Sequence, residues 1–128
     1  MRAFLWPLLC MLGLYQLSSI PGTPRPDPAG LAWSLSWLSS GLQNFLHIPA
    51  YGLLAWLWQR ALVRLPLGRG PATITALGLT LGYGLFDEWH QSWVPGRYPS
   101  GADLMLDGVG ALMGLTLGLI QSARTLRF

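Results

Sequence analysis

Long apolar runs, separated by single arginines and by proline–glycine turns, restrict what this chain can fold into. Of its 128 residues, 52% are hydrophobic and only 10% are charged, and the mean hydropathy is +0.41. Soluble domains carry nearer ~25% charged residues, and a soluble fold of this size cannot bury so much apolar surface in one core. The composition therefore predicts an all-α membrane protein, one domain over residues 1–128, with the lipid bilayer as its main partner.

The positions of these runs predict a compact bundle of four transmembrane helices. The predicted spans are residues 3–20, 44–65, 72–88 and 102–121. At ~1.5 Å per residue they reach ~26–33 Å, which is enough to cross the hydrocarbon layer. Between the first two spans, residues 21–43 begin with a Pro-rich tether and continue with leucines at helical spacing, which indicates a short helix lying in the interface. No small-x-small cleavage site follows the first run, so we expect an uncleaved first span rather than a signal peptide.

The basic residues, all eight of them arginine, predict the orientation of the bundle. With the N-terminus inside, six arginines fall on the cytoplasmic side and two outside, so both termini are expected to be cytoplasmic. The inner set is Arg2, Arg60, Arg64, Arg69, Arg124 and Arg127, and the outer set is Arg25 and Arg97. Because the arginines sit singly, with no interleaved basic and aromatic patch, no nucleic-acid partner is expected.

Glycines at four-residue spacing indicate where helices approach one another. Gly78 and Gly82 form one such pair in the third span, and Gly110, Gly114 and Gly118 form a longer series in the fourth. In lipid, apolar side chains gain little by meeting each other, and small residues let two backbones come close. We expect all five glycines to serve helix packing.

Most of the acidic and imidazole side chains lie close together in the sequence. Four of the five acidic residues fall between positions 87 and 107, and by the predicted topology this region is the outer face. The candidate ligand-binding residues are His47, Tyr51, Asp87, Glu88, Gln91, Arg97, Asp103 and Asp107. Charges at membrane depth cost ~2.5–3.5 kcal/mol on insertion scales, so those found there are usually paired or functional. Arg97 is the expected counter-ion.

Helical spacing predicts which of these side chains share a face. His47 and Tyr51 are four residues apart, as are Asp103 and Asp107, and the acidic face of the fourth span continues into its glycines. Glu88 shares a face with Gln91, and Asp87 with His90. The polar side chains are therefore expected to point inward from three helices.

Each feature also has a purely structural interpretation. Ser100 and Asp103 have the spacing of a capping box at a helix start. Glu88 with Arg97 could be an ion pair that fastens the outer loop, and Pro95-Gly96 has the residues of a type II turn. Singly, these features favour structure; clustered at membrane depth, they favour a functional site.

The sequence from the third to the fourth span resembles the VanZ-like family of integral membrane proteins. The similarity rests on Asp87-Glu88-Trp89-His90-Gln91, Val94-Pro95-Gly96-Arg97, Asp103, Gly110 and Gly114, and on His47 with Tyr51 in the second span. The chain departs from the family pattern at Gln43-Asn44, where Asp-Lys is frequent, and at Asp107, where asparagine is common. The resemblance implies a multi-pass protein of the bacterial cytoplasmic (inner) membrane, associated in some members with resistance to glycopeptides such as teicoplanin.

Three functions are compatible with these residues. The first is an envelope protein whose outward-facing polar pocket binds an anionic or lipid-linked amphiphile. The second is a membrane-embedded hydrolase or transferase on a lipid-linked substrate, with catalytic candidates Glu88, His90 and Asp103. Glu88 or Asp103 would be the general base, and His90 or His47 would be the acid or a metal ligand. The third is a structural or partner-binding subunit. No metal ligand set and no cofactor motif is indicated, and the single cysteine excludes an intrachain disulfide.

Overall fold

The chain folds into four α-helices joined by short turns where the structure is described. A computed structural model describes residues 2–21 and 40–125, with side chains from 45 to 123 in the longer part. The helices are α1 (Arg2–Ser18), α2 (Ser40–Leu62), α3 (Arg69–Gln91) and α4 (Gly101–Thr125), and no strand occurs among the described residues. The all-α class is therefore confirmed. Most of the predicted tether and interfacial helix at 21–43 lies outside the described residues, although α2 has already begun at Ser40.

The helices run alternately up and down, so the molecule has two chemically different ends. The start of α1, the end of α2, the start of α3 and the end of α4 meet at one end, which we call the arginine end. The other end, which we call the polar end, carries the start of α2, the end of α3 and the start of α4. As a result α2 and α4 run parallel, and both begin at the polar end.

The most extensive helix contact joins α2 and α4, and glycines make it. A Cβ atom placed on Gly114 would collide with the carbonyl oxygen of Gly52, and one placed on Gly110 would collide with that of Ile48. One turn further on, Gly118 lies against the side chain of Gln59. The packing role predicted for the three glycines of α4 is confirmed, and Gly52 is the partner that the sequence pattern left unnamed.

The same prediction is wrong for α3. Gly78 and Gly82 are exposed, and a Cβ atom on either would meet no heavy atom within 4 Å. The face of α3 that packs inward instead carries Ala72, Ala76 and Thr80, which are fully buried. Alanine and threonine are small enough for this contact, so the glycine pair is displaced to the outer surface of the helix.

Many of the largest apolar side chains lie on the outside of the bundle, whereas a soluble protein would bury them. Half of the ten buried hydrophobic residues in the described part of the chain are alanines, whereas large apolar side chains cover the outside of all four helices. Examples are Trp6 at 63% exposed, Phe45 at 66%, Ile74 at 73% and Met105 at 76%. Of the described helices, one segment, Gly101–Ala123 in α4, is long and apolar enough to cross a membrane by length and composition alone, with a mean hydropathy of 1.5. All four membrane spans remain predictions.

Replacing a contact glycine should separate α2 from α4. Gly114→Ala forces a Cβ atom into the backbone of Gly52, and overpacking of this kind costs about 1–3 kcal/mol. We expect thermal unfolding in detergent, followed by circular dichroism, to occur at a clearly lower temperature. Gly78→Ala is the matched control, because its Cβ atom meets open space. Equal melting temperatures for the two variants would contradict the proposed role of Gly114.

Candidate functional site

A buried pair between α2 and α4 lies at the centre of the polar end. His47 Nδ1 is 2.7 Å from Asp107 Oδ1, and the Asp107 side chain is only 1% exposed. An ionised carboxylate can only accept hydrogen bonds, so Nδ1–H of His47 donates and its Nε2 is the free ring nitrogen of the neutral form. Tyr51, one turn along α2, stacks nearly parallel to the imidazole with ring centroids 5.7 Å apart. The predicted His47–Tyr51 face is therefore directed inward.

Gly84 in α3 makes room for Asp107. A Cβ atom on Gly84 would lie 2.8 Å from Asp107 Oδ2 and 3.5 Å from the ring of Tyr51. The backbone of α3 thus forms one wall of the space that holds this carboxylate. Sequence reasoning missed Gly84; its only available signal was a further glycine in α3, two residues beyond Gly82.

Asp87 supplies a second buried carboxylate, from α3. Its Oδ2 accepts a hydrogen bond of 3.0 Å from Nε2 of Gln91, one turn further along the same helix. Asp87 and Gln91 are 4% and 2% exposed. The hydroxyl of Tyr51 lies within electrostatic range of Asp87, although it forms no hydrogen bond of standard geometry. Gln91 is therefore the partner of Asp87, and it does not join Glu88 as spacing alone suggested.

Glu88 caps the start of α4 from the neighbouring helix. Its Oε2 accepts a hydrogen bond of 2.6 Å from the backbone N–H of Ser100, the residue before α4 begins. Ser100 Oγ in turn accepts from the N–H of Ala102. In a capping box the Asp103 carboxylate would accept the hydrogen bond from the Ser100 N–H, but Glu88 accepts it instead. The predicted capping role of Asp103 is therefore wrong. The Asp103 side chain is instead 6% exposed, with its Oδ1 buried and unpartnered.

Arg97 is not the counter-ion of the carboxylates. Its Nε donates a 3.2 Å hydrogen bond to the carbonyl oxygen of Ile20, just beyond the end of α1. The predicted Glu88–Arg97 ion pair is wrong, because His47–Asp107 is the only ion pair among the described residues. The predicted type II turn is confirmed: Gly96 has a φ of 76°, and Arg97 N–H bonds to Val94 C=O at 3.1 Å. That turn directs Arg97 toward α1.

His90 contacts α1 rather than the carboxylates. Its ring centroid lies 4.4 Å from that of Tyr15 and 6.5 Å from that of Phe86. Its Nδ1 is buried and has no hydrogen-bond partner. The structure therefore does not join the three catalytic candidates into one constellation, since Glu88 and Asp103 lie within electrostatic range of each other whereas His90 packs on Tyr15 of α1.

The interior of the polar end contains several hydrogen-bond acceptors that receive no hydrogen bond from the protein. Buried oxygens without a hydrogen-bond partner are Asp87 Oδ1, Glu88 Oε1, Asp103 Oδ1, Asp107 Oδ2 and the hydroxyl of Tyr51. Buried polar atoms are nearly always satisfied in folded proteins, so donors from ordered water or from a ligand would complete this set. Among the described residues no group of three or more His, Cys, Asp or Glu is placed to hold a metal ion. Hydroxyl, amine and amide groups are the complementary chemistry.

The fold and the site define a small all-helical protein with an apolar exterior and a buried carboxylate–imidazole cluster at one end. The VanZ/LLP1 family model matches residues 7–122, nearly the whole chain. This protein therefore belongs to the VanZ/LLP1 family. No curated protein and no solved structure matches it.

Breaking the buried pair should be costly only when a charge is left behind. His47→Ala leaves the Asp107 carboxylate buried without its partner, a change that typically costs roughly 3 kcal/mol or more. Asp107→Asn keeps an oxygen that can accept from Nδ1–H of His47, so we expect a much smaller loss. The measurement is thermal unfolding in detergent. The double variant His47→Ala/Asp107→Asn should be more stable than His47→Ala alone; the reverse order would exclude a buried charge as the cause.

The interhelical cap can be tested at the Ser100 amide. Glu88→Ala removes the acceptor of this hydrogen bond, whereas Glu88→Gln retains a neutral one. Hydrogen bonds to charged groups contribute about 1.5–3 kcal/mol, and neutral ones about 1 kcal/mol. Hydrogen–deuterium exchange over residues 98–104 should therefore be fastest in Glu88→Ala, intermediate in Glu88→Gln and slowest in the wild type. Unchanged protection in Glu88→Ala would argue against the cap.

Proposed function

We propose that this protein is a multi-pass envelope protein whose four helices cross the bacterial cytoplasmic membrane, with the polar end facing outward. The large apolar side chains on the outside of every helix support insertion, because water would be a poor solvent for that surface. The helices contain 17, 23, 23 and 25 residues, or ~26–38 Å at ~1.5 Å per residue. Helices of this length suit a hydrocarbon layer of ~30 Å.

The distribution of charge supports an orientation with both termini in the cytoplasm. All four acidic residues that the structure describes belong to the polar end, while Arg2, Arg60, Arg64 and Arg69 belong to the arginine end. Arginine is enriched in cytoplasmic loops, whereas acidic residues contribute little to orientation. The arginine end is therefore the cytoplasmic one in this proposal.

This topology predicts which turns a membrane-impermeant thiol reagent can reach. In a Cys10→Ser background, Tyr98→Cys places a thiol in the exposed turn of the polar end, and Leu67→Cys places one in the turn of the arginine end. In intact cells the reagent should label Tyr98→Cys only, and permeabilised cells should show labelling of both. Labelling of Leu67→Cys alone in intact cells would invert the topology, and equal labelling would argue against a spanning bundle.

The polar end is proposed to bind the head group of a lipid-linked amphiphile. The observation that carries this proposal is the set of buried, unpartnered oxygens on Asp87, Asp103, Asp107 and Glu88. They are contributed by two helices and face a histidine whose Nδ1 is already used. Sugar hydroxyls and amino groups would satisfy such acceptors. Because carboxylates repel anions, a phosphate would not occupy this inner region.

Arg97 is proposed to take the anionic part of the same ligand. It is partly exposed at the rim of the polar end, and its contact with Ile20 uses Nε. A guanidinium can bind phosphate through the remaining nitrogens of its planar fork. A ligand with a sugar next to a phosphate would therefore span the two regions, its hydroxyls toward the carboxylates and its phosphate toward Arg97.

Thermal shifts with three prenyl lipids of equal chain length test this division of roles. The probes are a prenyl alcohol, the prenyl phosphate and the prenyl phosphate carrying a hexosamine. We expect the sugar-bearing probe to stabilise the wild type most. Asp103→Asn should weaken its apparent affinity about tenfold, since hydrogen bonds to charged groups contribute about 1.5–3 kcal/mol. Arg97→Gln should weaken both phosphate-bearing probes, and the response to the alcohol is the control.

Two results would contradict the binding proposal. Equal responses to all three probes would show that only the apolar chain is recognised. Variants whose loss of affinity merely follows a loss of folding stability would favour the structural-subunit alternative, in which Glu88 and His47 only fasten helices together. A role in glycopeptide resistance rests on the family resemblance alone; its test is whether expression raises the teicoplanin concentration that a susceptible bacterium tolerates.

A membrane-embedded hydrolase or transferase is the second candidate, and the His47–Asp107 pair favours it. A carboxylate that orients an imidazole is a common general-base arrangement, and Nε2 of His47 would be the basic atom. In this second candidate the catalytic residues would be His47 and Asp107 rather than Glu88, His90 and Asp103. Hydrolysis of the sugar-bearing probe by the wild type but not by His47→Gln, with binding intact in both, would identify an enzyme. Binding without turnover would favour the first candidate.

A further inference from the structure

A pocket lies at the arginine end, far from the buried carboxylates. It has a volume of about 370 Å³ and is formed between the start of α1 and the end of α2. We call it the arginine pocket, after the five side chains that give it its chemistry: Arg2, Trp6, Trp56, Arg60 and Arg64. Arginine and tryptophan thus recur one helical turn apart on both facing helices.

The walls of this pocket are held in place by contacts within the bundle. Trp56 Nε1 donates a 3.0 Å hydrogen bond to Gln121 Oε1 in α4, which fixes the indole ring. The guanidinium carbon of Arg60 lies 4.8 Å from the centroid of that ring, which is cation–π geometry. Phe4 packs against Trp58 with ring centroids 6.3 Å apart and brings α1 to α2 at the same level. Three arginines therefore line an open pocket, and the Trp56–Arg60 part of its wall is held by contacts within the bundle.

The charge of the arginine pocket is not balanced by any carboxylate that the structure describes. All four described acidic residues are at the polar end, and the one ion pair joins His47 to Asp107 there. Three positive charges around one cavity repel each other, so an anion bound among them would stabilise the arrangement. Arginine recognises phosphate through its planar fork of donors.

We infer that the arginine pocket binds the phosphate of an anionic membrane phospholipid. Arg2, Arg60 and Arg64 would contact the phosphate, while Trp6 and the apolar side chains between the arginines would lie beside the upper acyl chain. Tryptophan and arginine are both suited to headgroup depth, where an apolar body and a polar group are needed together. The inference rests on the proposed membrane insertion, but it does not depend on the ligand of the polar end.

Arg69 distinguishes a bound lipid from general attraction to an anionic membrane. It begins α3 at the same end of the bundle and is exposed, but it does not line the pocket. Arg69→Gln therefore removes the same charge as Arg60→Gln without altering the pocket. Arg64→Gln is a second pocket variant, and it leaves the contact between Arg60 and Trp56 in place.

Lipid exchange in nanodiscs, read by native mass spectrometry, tests the inference. The full-length protein is reconstituted in phosphatidylcholine containing one part in ten of phosphatidylglycerol, and the retained lipids are counted after the disc is stripped. We expect the wild type to retain phosphatidylglycerol at least about fivefold above the bulk ratio, the effect of roughly one arginine beside an anionic headgroup. Arg60→Gln and Arg64→Gln should each lower the enrichment about fivefold, whereas Arg69→Gln leaves it unchanged.

Each other outcome has a definite meaning. An equal fall in all three variants would show diffuse surface attraction and overturn the pocket. Displacement of the lipid by millimolar glycerol phosphate would show that a soluble phosphate compound is the ligand, and would overturn the lipid assignment. Extraction of the protein from membranes by alkaline carbonate would instead contradict the proposed insertion. Retention in the membrane without phosphatidylglycerol enrichment would overturn the pocket alone.

Discussion

The close approach of α2 and α4 is the constraint on which the rest of the structure depends. Gly52, Gly110 and Gly114 bring the two backbones into direct contact, and no side chain larger than hydrogen fits between them. Ile48, which packs on Gly110, is the residue after His47. The same register that seats the glycines therefore places His47 beside Asp107, one turn before Gly110. The buried pair is a consequence of backbone packing.

This packing also explains why the molecule places small and polar residues inside and large apolar residues outside. Helices that touch through glycine and alanine leave little room for leucine between them, so among the described residues only Leu54, Leu62 and Leu115 are buried leucines, and the others lie partly or largely on the outside. The interior that remains at the polar end is filled by carboxylates, an imidazole and a tyrosine. Burying carboxylates is costly unless partners compensate, and only some of their oxygens have one. The free-energy cost of the unpartnered carboxylate oxygens is concentrated at the polar end, where the proposed ligand would contribute hydrogen-bond donors.

Sequence reasoning identified the members of the polar cluster but not their pairings. His47, Asp87, Asp103 and Asp107 were all expected to face inward, and all are buried or largely so. The expected partner, Arg97, binds the carbonyl of Ile20, and Glu88 accepts from Ser100. Charge complementarity suggested Arg97 because it is the nearest cation in the sequence. Pairing depends on distance in space, and the type II turn at Gly96 directs that side chain elsewhere.

The sequence by itself determined the all-α class, the four helical segments, the turn at Gly96 and the separation of acids from arginines. These are local properties, since hydropathy, helical spacing and turn residues act over a few positions. Only the tertiary structure decided that Gly110 and Gly114, but not Gly78 and Gly82, meet another helix. It also decided that His47 pairs with Asp107 and that Gly84 makes room for that carboxylate. Identical spacing gives each glycine set a helix face without side chains. Which of the two faces packs against another helix depends on the shape of the helix opposite.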